Sequence, residues 1–257
     1  MTSLDRLADG LLDLVLPKRC VVCGRAGRWL CEACAPALVP MPDAVCRHCG
    51  APLSPGQATR DECVECRGRG LAFGSARAAF VYAGPARRLM TACKFRSLRS
   101  LVAEMADLAA APFARAVTAL GGPGTGGVEL VTWVPVHRDR DLERGFDQAA
   151  LLARRLAAGA GLPAAPLLRR AQKGRRQSGL GAADRAANVR DAFTLDGRHA
   201  DKAGTVRCVL VVDDVYTTGE TLHVCSSVLR QAGCAPHAFT FARAARSFHA
   251  PSASDRR

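Results

Sequence analysis

Four Cys-x2-Cys pairs crowd between Cys20 and Cys66, and nothing else in the sequence restricts the fold as tightly. They read Cys20-x2-Cys23-x7-Cys31-x2-Cys34 and then Cys46-x2-Cys49-x13-Cys63-x2-Cys66. Each Cys-x2-Cys turn aims two thiolates at one point, and two such turns complete a tetrahedral sulfur site. The spacing therefore predicts two structural Zn²⁺ ions. Sequential pairing is the economical assignment, and spacing alone leaves a cross-braced pairing open. Sulfur fills all four positions of each site, so no coordination position remains for a catalytic water. Disulfides are the competing use of such cysteines, but a reducing cytoplasm disfavours them. A redox Cys-x2-Cys motif would not recur four times. His48, inside the second set, reads as a solvent-facing turn residue rather than a ligand.

The other four cysteines, Cys93, Cys208, Cys225 and Cys234, have no spaced partner and read as small buried apolar residues. Hydrophobic residues make up 49% of the 257, enough for a sizeable core. Lys and Arg number 36 against 23 acids, a formal charge of +13. Two tetrathiolate zinc sites bring this to roughly +9. Such a chain suits polyanionic partners: nucleic acid, phosphorylated metabolites or acidic lipid. Trp29 and Phe73 are the large aromatics of the cysteine-rich region, thin material for stacking bases. No run approaches the roughly 18 apolar residues of a membrane span. Asp5, Arg6, Asp9 and Asp13 break the Leu4 to Leu16 run, which is therefore not expected to be a secretory signal. A soluble, cytoplasmic protein is the expectation.

Four parts are expected: an N-terminal amphipathic helix over 1–17, a double zinc ribbon over 18–72, an α/β domain over 73–243 and a disordered tail over 244–257. Leu4, Leu7, Leu11, Leu12 and Val15 share one face of the first helix, which Pro17 ends. Beyond the ribbon come a strand at 76–83, two helices over 85–119 and a glycine-rich loop at 121–127. A strand at 129–136, a helix at 145–158 and a short strand at 166–168 follow. A polar stretch at 169–191 leads to a strand at 206–212, a helix at 219–232 and a last strand at 237–241. Strands alternating with helices predict a largely parallel, Rossmann-like sheet.

The run Val209-Leu-Val-Val-Asp213-Asp214-Val-Tyr-Thr217-Thr218-Gly219-Glu-Thr221 is the most informative after the cysteines. An apolar strand carries two carboxylates to its carboxyl end, where ligands of open α/β sheets bind. Carboxylates there can accept hydrogen bonds from vicinal sugar hydroxyls. The loop that follows is small and hydroxylated and opens into a helix, so its amides and the helix dipole form a cradle for a monophosphate. Gly219 allows a close backbone approach.

This run resembles the fingerprint of type I phosphoribosyltransferases, which hold 5-phosphoribosyl-1-pyrophosphate (PRPP). The resemblance implies that Asp213 and Asp214 contact the ribose hydroxyls, while Thr217, Thr218, Gly219 and Thr221 hold the 5-phosphate. With the double zinc ribbon, the whole chain resembles the ComF family of competence proteins, linked to DNA uptake in natural transformation. The matching stretches are Pro17 with Cys20-x2-Cys23, Lys94-Phe95-Arg96, Val134-Pro135-Val136, Arg144-Gly145-Phe146-Asp147-Gln148, and Gln177-x2-Leu180 with Arg185 and Asn188. The family usually has Asn where this chain has Asp147, which removes residue 147 from the expected phosphate contacts.

The resemblance implies PRPP binding with Mg²⁺, and Arg144 and Lys173 as the residues that would assist loss of pyrophosphate in a transfer reaction. Seven bases (Arg169, Arg170, Lys173, Arg175, Arg176, Arg185, Arg190) against Asp184 make 169–190 a candidate lid or single-stranded DNA surface. His137 and Lys94 are weaker candidates near the site. No base-recognition pocket or general base can be read from the sequence, so the acceptor is unassigned. Three functions stay open. The first is a DNA-uptake protein contacting single-stranded DNA and competence-machinery proteins, with a retained PRPP site. The others are an active nucleobase or amine phosphoribosyltransferase and a non-catalytic PRPP sensor.

Overall fold

The segment Cys208-Val-Leu-Val-Val offers apolar side chains on both faces, as a strand covered from both sides requires. In the computed structural model, which describes residues 18–54, 63–96, 99–122, 126–136, 147–171 and 192–244, it begins an interior strand of a parallel sheet. The elements are β1 (Ala76–Val81), α1 (Gly84–Arg96), α2 (Arg99–Ala119), β2 (Leu130–Trp133), α3 (Gln148–Gly159), β3 (Leu168–Arg170), β4 (Phe193–Leu195), α4 (Ala200–Thr205), β5 (Cys208–Tyr216), α5 (Glu220–Gln231) and β6 (Ala235–Arg243). The four-stranded sheet runs β1-β6-β5-β2, every pair parallel.

Two apolar clusters sandwich this sheet. Leu210 and Val212 face one, with Leu101, Met105 and Phe113 of α2 and Leu152 and Leu156 of α3. Val209 and Val211 face the other, with Leu222, Cys225 and Leu229 of α5. Alternation along β5 thus feeds both layers, the period-two rule applied to a doubly covered strand.

The ribbon is split between the same two layers. Cys20, Trp29, Leu30, Cys31 and Leu38 belong to the α2 side. Cys46, Cys49, Cys63, Cys66, Leu71 and Phe73 belong to the α5 side. Glu104 of α2 fastens the first half by accepting from the amides of Trp29 (3.1 Å) and Leu30 (2.8 Å), while Trp29 Nε1 donates to Ser100 Oγ at 3.2 Å. Trp29 and Phe73 are both buried, so neither is a base-stacking surface.

Some expected boundaries change. The short strand expected at 166–168 lies later and outside the main sheet: β3 pairs antiparallel with β4. The stretch before it touches the large sheet through a parallel bridge of Ala164 to Val131, with Pro163 and Ala165 bonded to the Val131 backbone. The strand expected at 206–212 continues to Tyr216, because Asp213, Val215 and Tyr216 keep their register with Thr240, Ala242 and Arg243 of β6. Cys93, Cys208, Cys225 and Cys234 are buried as expected. The expected helix over 3–16, most of 169–191 and the tail from 245 lie outside the described residues. No helix among the described residues is long and apolar enough to cross a membrane.

Candidate functional site

The eight ribbon cysteines gather into two sets, Cys20, Cys23, Cys31 and Cys34 in one and Cys46, Cys49, Cys63 and Cys66 in the other, the sulfurs of each within 4.8 Å of one another. The pairing is therefore sequential. Four converging sulfurs fit tetrahedral zinc. Backbone amides favour the thiolate of Cys20 in the first set and of Cys46 in the second. Burial opposes ionisation of Cys20, but the amides of Cys31, Cys23 and Val22 outweigh it and bring its pKa to about 6. Burial likewise opposes Cys46, and the amides of Cys49, Cys63 and His48 bring it to about 7. Cys34 is pushed up to about 12, chiefly by its hydrogen bond with Cys31. His48 is neither ligand nor free turn residue: its Nε2 is 2.8 Å from the Phe73 carbonyl, and its ring stands edge-on to the Phe73 ring at 5.7 Å.

The second set continues into the sheet. Arg243, at the carboxyl end of β6, is 2% exposed. Its Nη1 donates to the Cys49 carbonyl at 2.8 Å, and its Nη2 to Glu65 Oε2 at 2.9 Å and toward Cys49 Sγ at 3.7 Å. Its guanidinium stacks over the Tyr216 ring, 3.8 Å from the centroid. Tyr216 is the last residue of β5 and the first neighbour of the hydroxylated loop.

β5 brings Asp213 and Asp214 to the carboxyl edge of the sheet, both half-buried. The Asp213 carboxylate accepts from the Asp214 amide at 2.8 Å. Val215 and Tyr216 then pack one step out of phase: Val215 on the α2 layer and Tyr216 on the α5 layer. The break in alternation falls at the acid pair.

Thr217 and Thr218 are exposed on the loop, and Thr221 on the first turn of α5. Gly219 caps that helix in the left-handed region at φ 79°. A side chain there would collide with the Tyr216 hydroxyl, so the glycine is required by the residue beneath it as well as by its own backbone angle. The Thr218 hydroxyl accepts from the Glu220 amide at 3.4 Å. The ribbon also holds this loop: Arg69 Nη1 donates to the Thr218 carbonyl at 2.7 Å, and its Nη2 lies 3.7 Å from the Glu220 carboxylate. The Ala72 amide donates to His223 Nδ1 at 3.1 Å.

Asp147 accepts from the Ala150 amide at 2.9 Å as the N-cap of α3, the use expected of an Asp one residue before a helix. That helix starts at Gln148 instead of 145. Arg144, Lys173, His137, Arg175, Arg176 and Arg185 lie outside the described residues, as does the side chain of Lys94. Arg169 and Arg170 are exposed, with Arg170 over the Phe193 ring at 5.2 Å. Arg69, Tyr216 and Arg243 were not singled out from the sequence. An aromatic between two acids and two threonines, and an arginine closing an apolar strand, were the only local signals they gave.

Fold and site together define an α/β protein with a parallel sheet, two Cys₄ sites in an N-terminal zinc ribbon, and a strand-loop-helix with the makings of an anion cradle. Residues 11–67 match the double zinc ribbon domain family. The chain is similar to Competence protein F of Haemophilus influenzae, 36% identical over 106 residues, which are 41% of this chain and 45% of that protein. The match thus spans less than half the length of that relative. Among solved structures, the chain is similar to the allosteric regulatory enzyme of purine biosynthesis, with 21% identity over 52% of this chain and 26% of that one at a TM-score of 0.31. It is also similar to glutamine PRPP amidotransferase from B. subtilis complexed with ADP and GMP, with 22% identity over 52% of this chain and 26% of that one at a TM-score of 0.32.

Proposed function

We propose that this chain is a ComF-like protein of the type I phosphoribosyltransferase fold that binds PRPP at the carboxyl edge of its sheet. The observation that carries the reading is one uninterrupted run: an acid pair ending an interior parallel strand, exposed threonines, and a left-handed glycine opening a helix. In this reading Asp213 and Asp214 accept from the ribose hydroxyls. Thr217, Thr218 and Thr221 donate hydroxyls to the 5-phosphate, and the amides around Gly219 close on it where the helix dipole favours negative charge. Mg²⁺ carried by the diphosphate would neutralise the leaving group. Arg144 and Lys173 would meet the same diphosphate as charge-assisted donors. The zinc ions hold the ribbon and take no part in the chemistry.

Calorimetry of the zinc-loaded protein with PRPP and Mg²⁺ tests this. Micromolar binding that is lost in Asp213→Asn is expected; absence of heat in the wild-type protein refutes it. Pyrophosphate release with a panel of nucleobases and amines then separates a transferase from a protein that only binds the sugar.

A role in DNA uptake, with contact to single-stranded DNA and to competence-machinery proteins, is the further part of the proposal. The charge of +13 supports it, as does a cleft of about 870 Å³ between the first ribbon turn and α1, lined by Arg19, Arg87 and Arg88. Single-strand affinity that falls steeply with salt is expected, since each phosphate contacted releases counterions. Salt-independent or absent binding would remove DNA from the reading.

A further inference from the structure

We propose that Tyr216 is a positioning residue of the phosphate loop, its hydroxyl taking a hydrogen-bond partner in the loop's ligand-bound form while Arg243 fixes the ring against the second zinc site. The inference rests on the loop being a phosphate cradle.

Tyr216 is 3% exposed, and its hydroxyl has no hydrogen-bond partner among the described residues. Burying such a hydroxyl unpaired is unfavourable, and a phenylalanine would fill the same volume without that cost. The position of the orphan group is informative. A side chain placed on Gly219 would strike this oxygen before any other atom, so the hydroxyl lies directly against the residue that ends the loop and begins α5. Burial pushes the phenol's pKa up, partly offset by the charge of Arg243 and the close approach of its guanidinium, so the group is a donor at neutral pH.

The ring cannot swing away from the loop. Phe73 meets it edge-on at 6.3 Å, and the Arg243 guanidinium covers a face at 3.8 Å. Arg243 is itself fixed by the Cys49 carbonyl and by Glu65, one residue before the ligand Cys66. Its Nε is a second buried atom without a hydrogen-bond partner among the described residues. The loop is held by Arg69, at the Thr218 carbonyl and the Glu220 carboxylate, and by the long Thr218 to Glu220 contact. A fixed donor beneath an exposed loop is an arrangement that gains a bond when an anion draws the loop into its bound form.

The test is Tyr216→Phe in the full-length, zinc-loaded protein, with calorimetry against ribose 5-phosphate and against PRPP with Mg²⁺, and thermal unfolding without ligand. A loss of one hydrogen bond predicts about five- to tenfold weaker binding of both sugars. The ligand-free melting temperature should stay unchanged, because among the described residues the removed group makes no hydrogen bond of good geometry. Wild-type affinity in the variant overturns the proposal. So does a loss of affinity matched by lower ligand-free stability, which would mark ordinary packing. If the wild-type protein binds neither sugar, the cradle reading itself has failed, an outcome distinct from both. Arg243→Lys keeps the charge and loses the planar stack; it should weaken both sugars while two zinc ions per chain remain. Wild-type affinity there would remove Arg243 from the arrangement.

Discussion

Arg243 and Glu65 meet at 2.9 Å, joining the end of β6 to the turn that carries Cys63 and Cys66. The arginine is almost wholly buried and the carboxylate side chain is 20% exposed, so the pair is partly shielded from water. With the Cys49 carbonyl as a second acceptor, Arg243 is a buried polar joint between the second zinc site and the sheet, beside the bond from the Ala76 amide to the His48 carbonyl.

Removing that joint should destabilise the fold. Arg243→Met leaves a buried carbonyl and a shielded carboxylate without their donor, and about 3 kcal/mol of stability should be lost. Glu65→Gln should cost less, and a double-mutant cycle by chemical denaturation should give a coupling of about 1–2 kcal/mol. Additive effects would show that the pair contributes nothing as a pair.

The two zinc sites should be separable. Elemental analysis of the native chain should give two zinc ions. Cys31→Ser should leave one and loosen the α2 side, whereas Cys63→Ser should leave one and loosen the β5–β6–α5 side. Hydrogen exchange maps the difference: faster exchange near Glu104 in the first variant, and near Tyr216 and Arg243 in the second. Identical exchange maps for the two variants would contradict the sequential assignment.

Gly219→Ala should impair the loop on two counts. A left-handed backbone at φ 79° costs a Cβ-bearing residue roughly 1–2 kcal/mol, and the new methyl also meets the Tyr216 hydroxyl. Melting temperature and affinity for ribose 5-phosphate should both fall. Adding Tyr216→Phe should restore little of the melting temperature, since the ring carbon Cζ, 2.5 Å from the new methyl, stays in the way.

His237 should make stability depend on pH. Burial, reinforced by the charge of Arg77, holds its pKa below the ordinary value, and its Nδ1 sits 2.9 Å from Ser75 Oγ. The unfolded chain therefore binds a proton that the folded chain resists. The contribution is complete above about pH 6.5 and is lost as pH falls from there toward the folded-state pKa. Denaturation midpoints measured between pH 7.5 and 5 should decline, and His237→Gln should flatten that decline. An unchanged slope in the variant would assign the pH dependence elsewhere.

What could be read in advance was what lies close along the chain. Cysteine spacing named both metal sets, since a Cys-x2-Cys turn is local chemistry, and it left their pairing to the three-dimensional arrangement. The acids, threonines and Gly219 of the loop were visible because they are consecutive. Arg69 and Arg243 were not, because the partners that give them a role lie 149 and 194 residues away. The solvent-facing expectation for His48 fails for a similar reason: the carbonyl it meets belongs to Phe73, beyond the last ribbon cysteine. The end of β5 was placed too early because acids read as loop residues, whereas backbone pairing to β6 carries the strand through them.

The 194-residue separation between Arg243 and Cys49 also bears on how the chain is made. The cysteine turns leave the ribosome long before the strand that covers the second of them. Until β6 arrives, that half of the ribbon must hold its metal without its arginine and with its apolar face open. Contacts of such high sequence separation form slowly and leave nascent chains prone to aggregate. Zinc supply during synthesis should therefore govern the yield of folded protein more strongly than zinc added after purification.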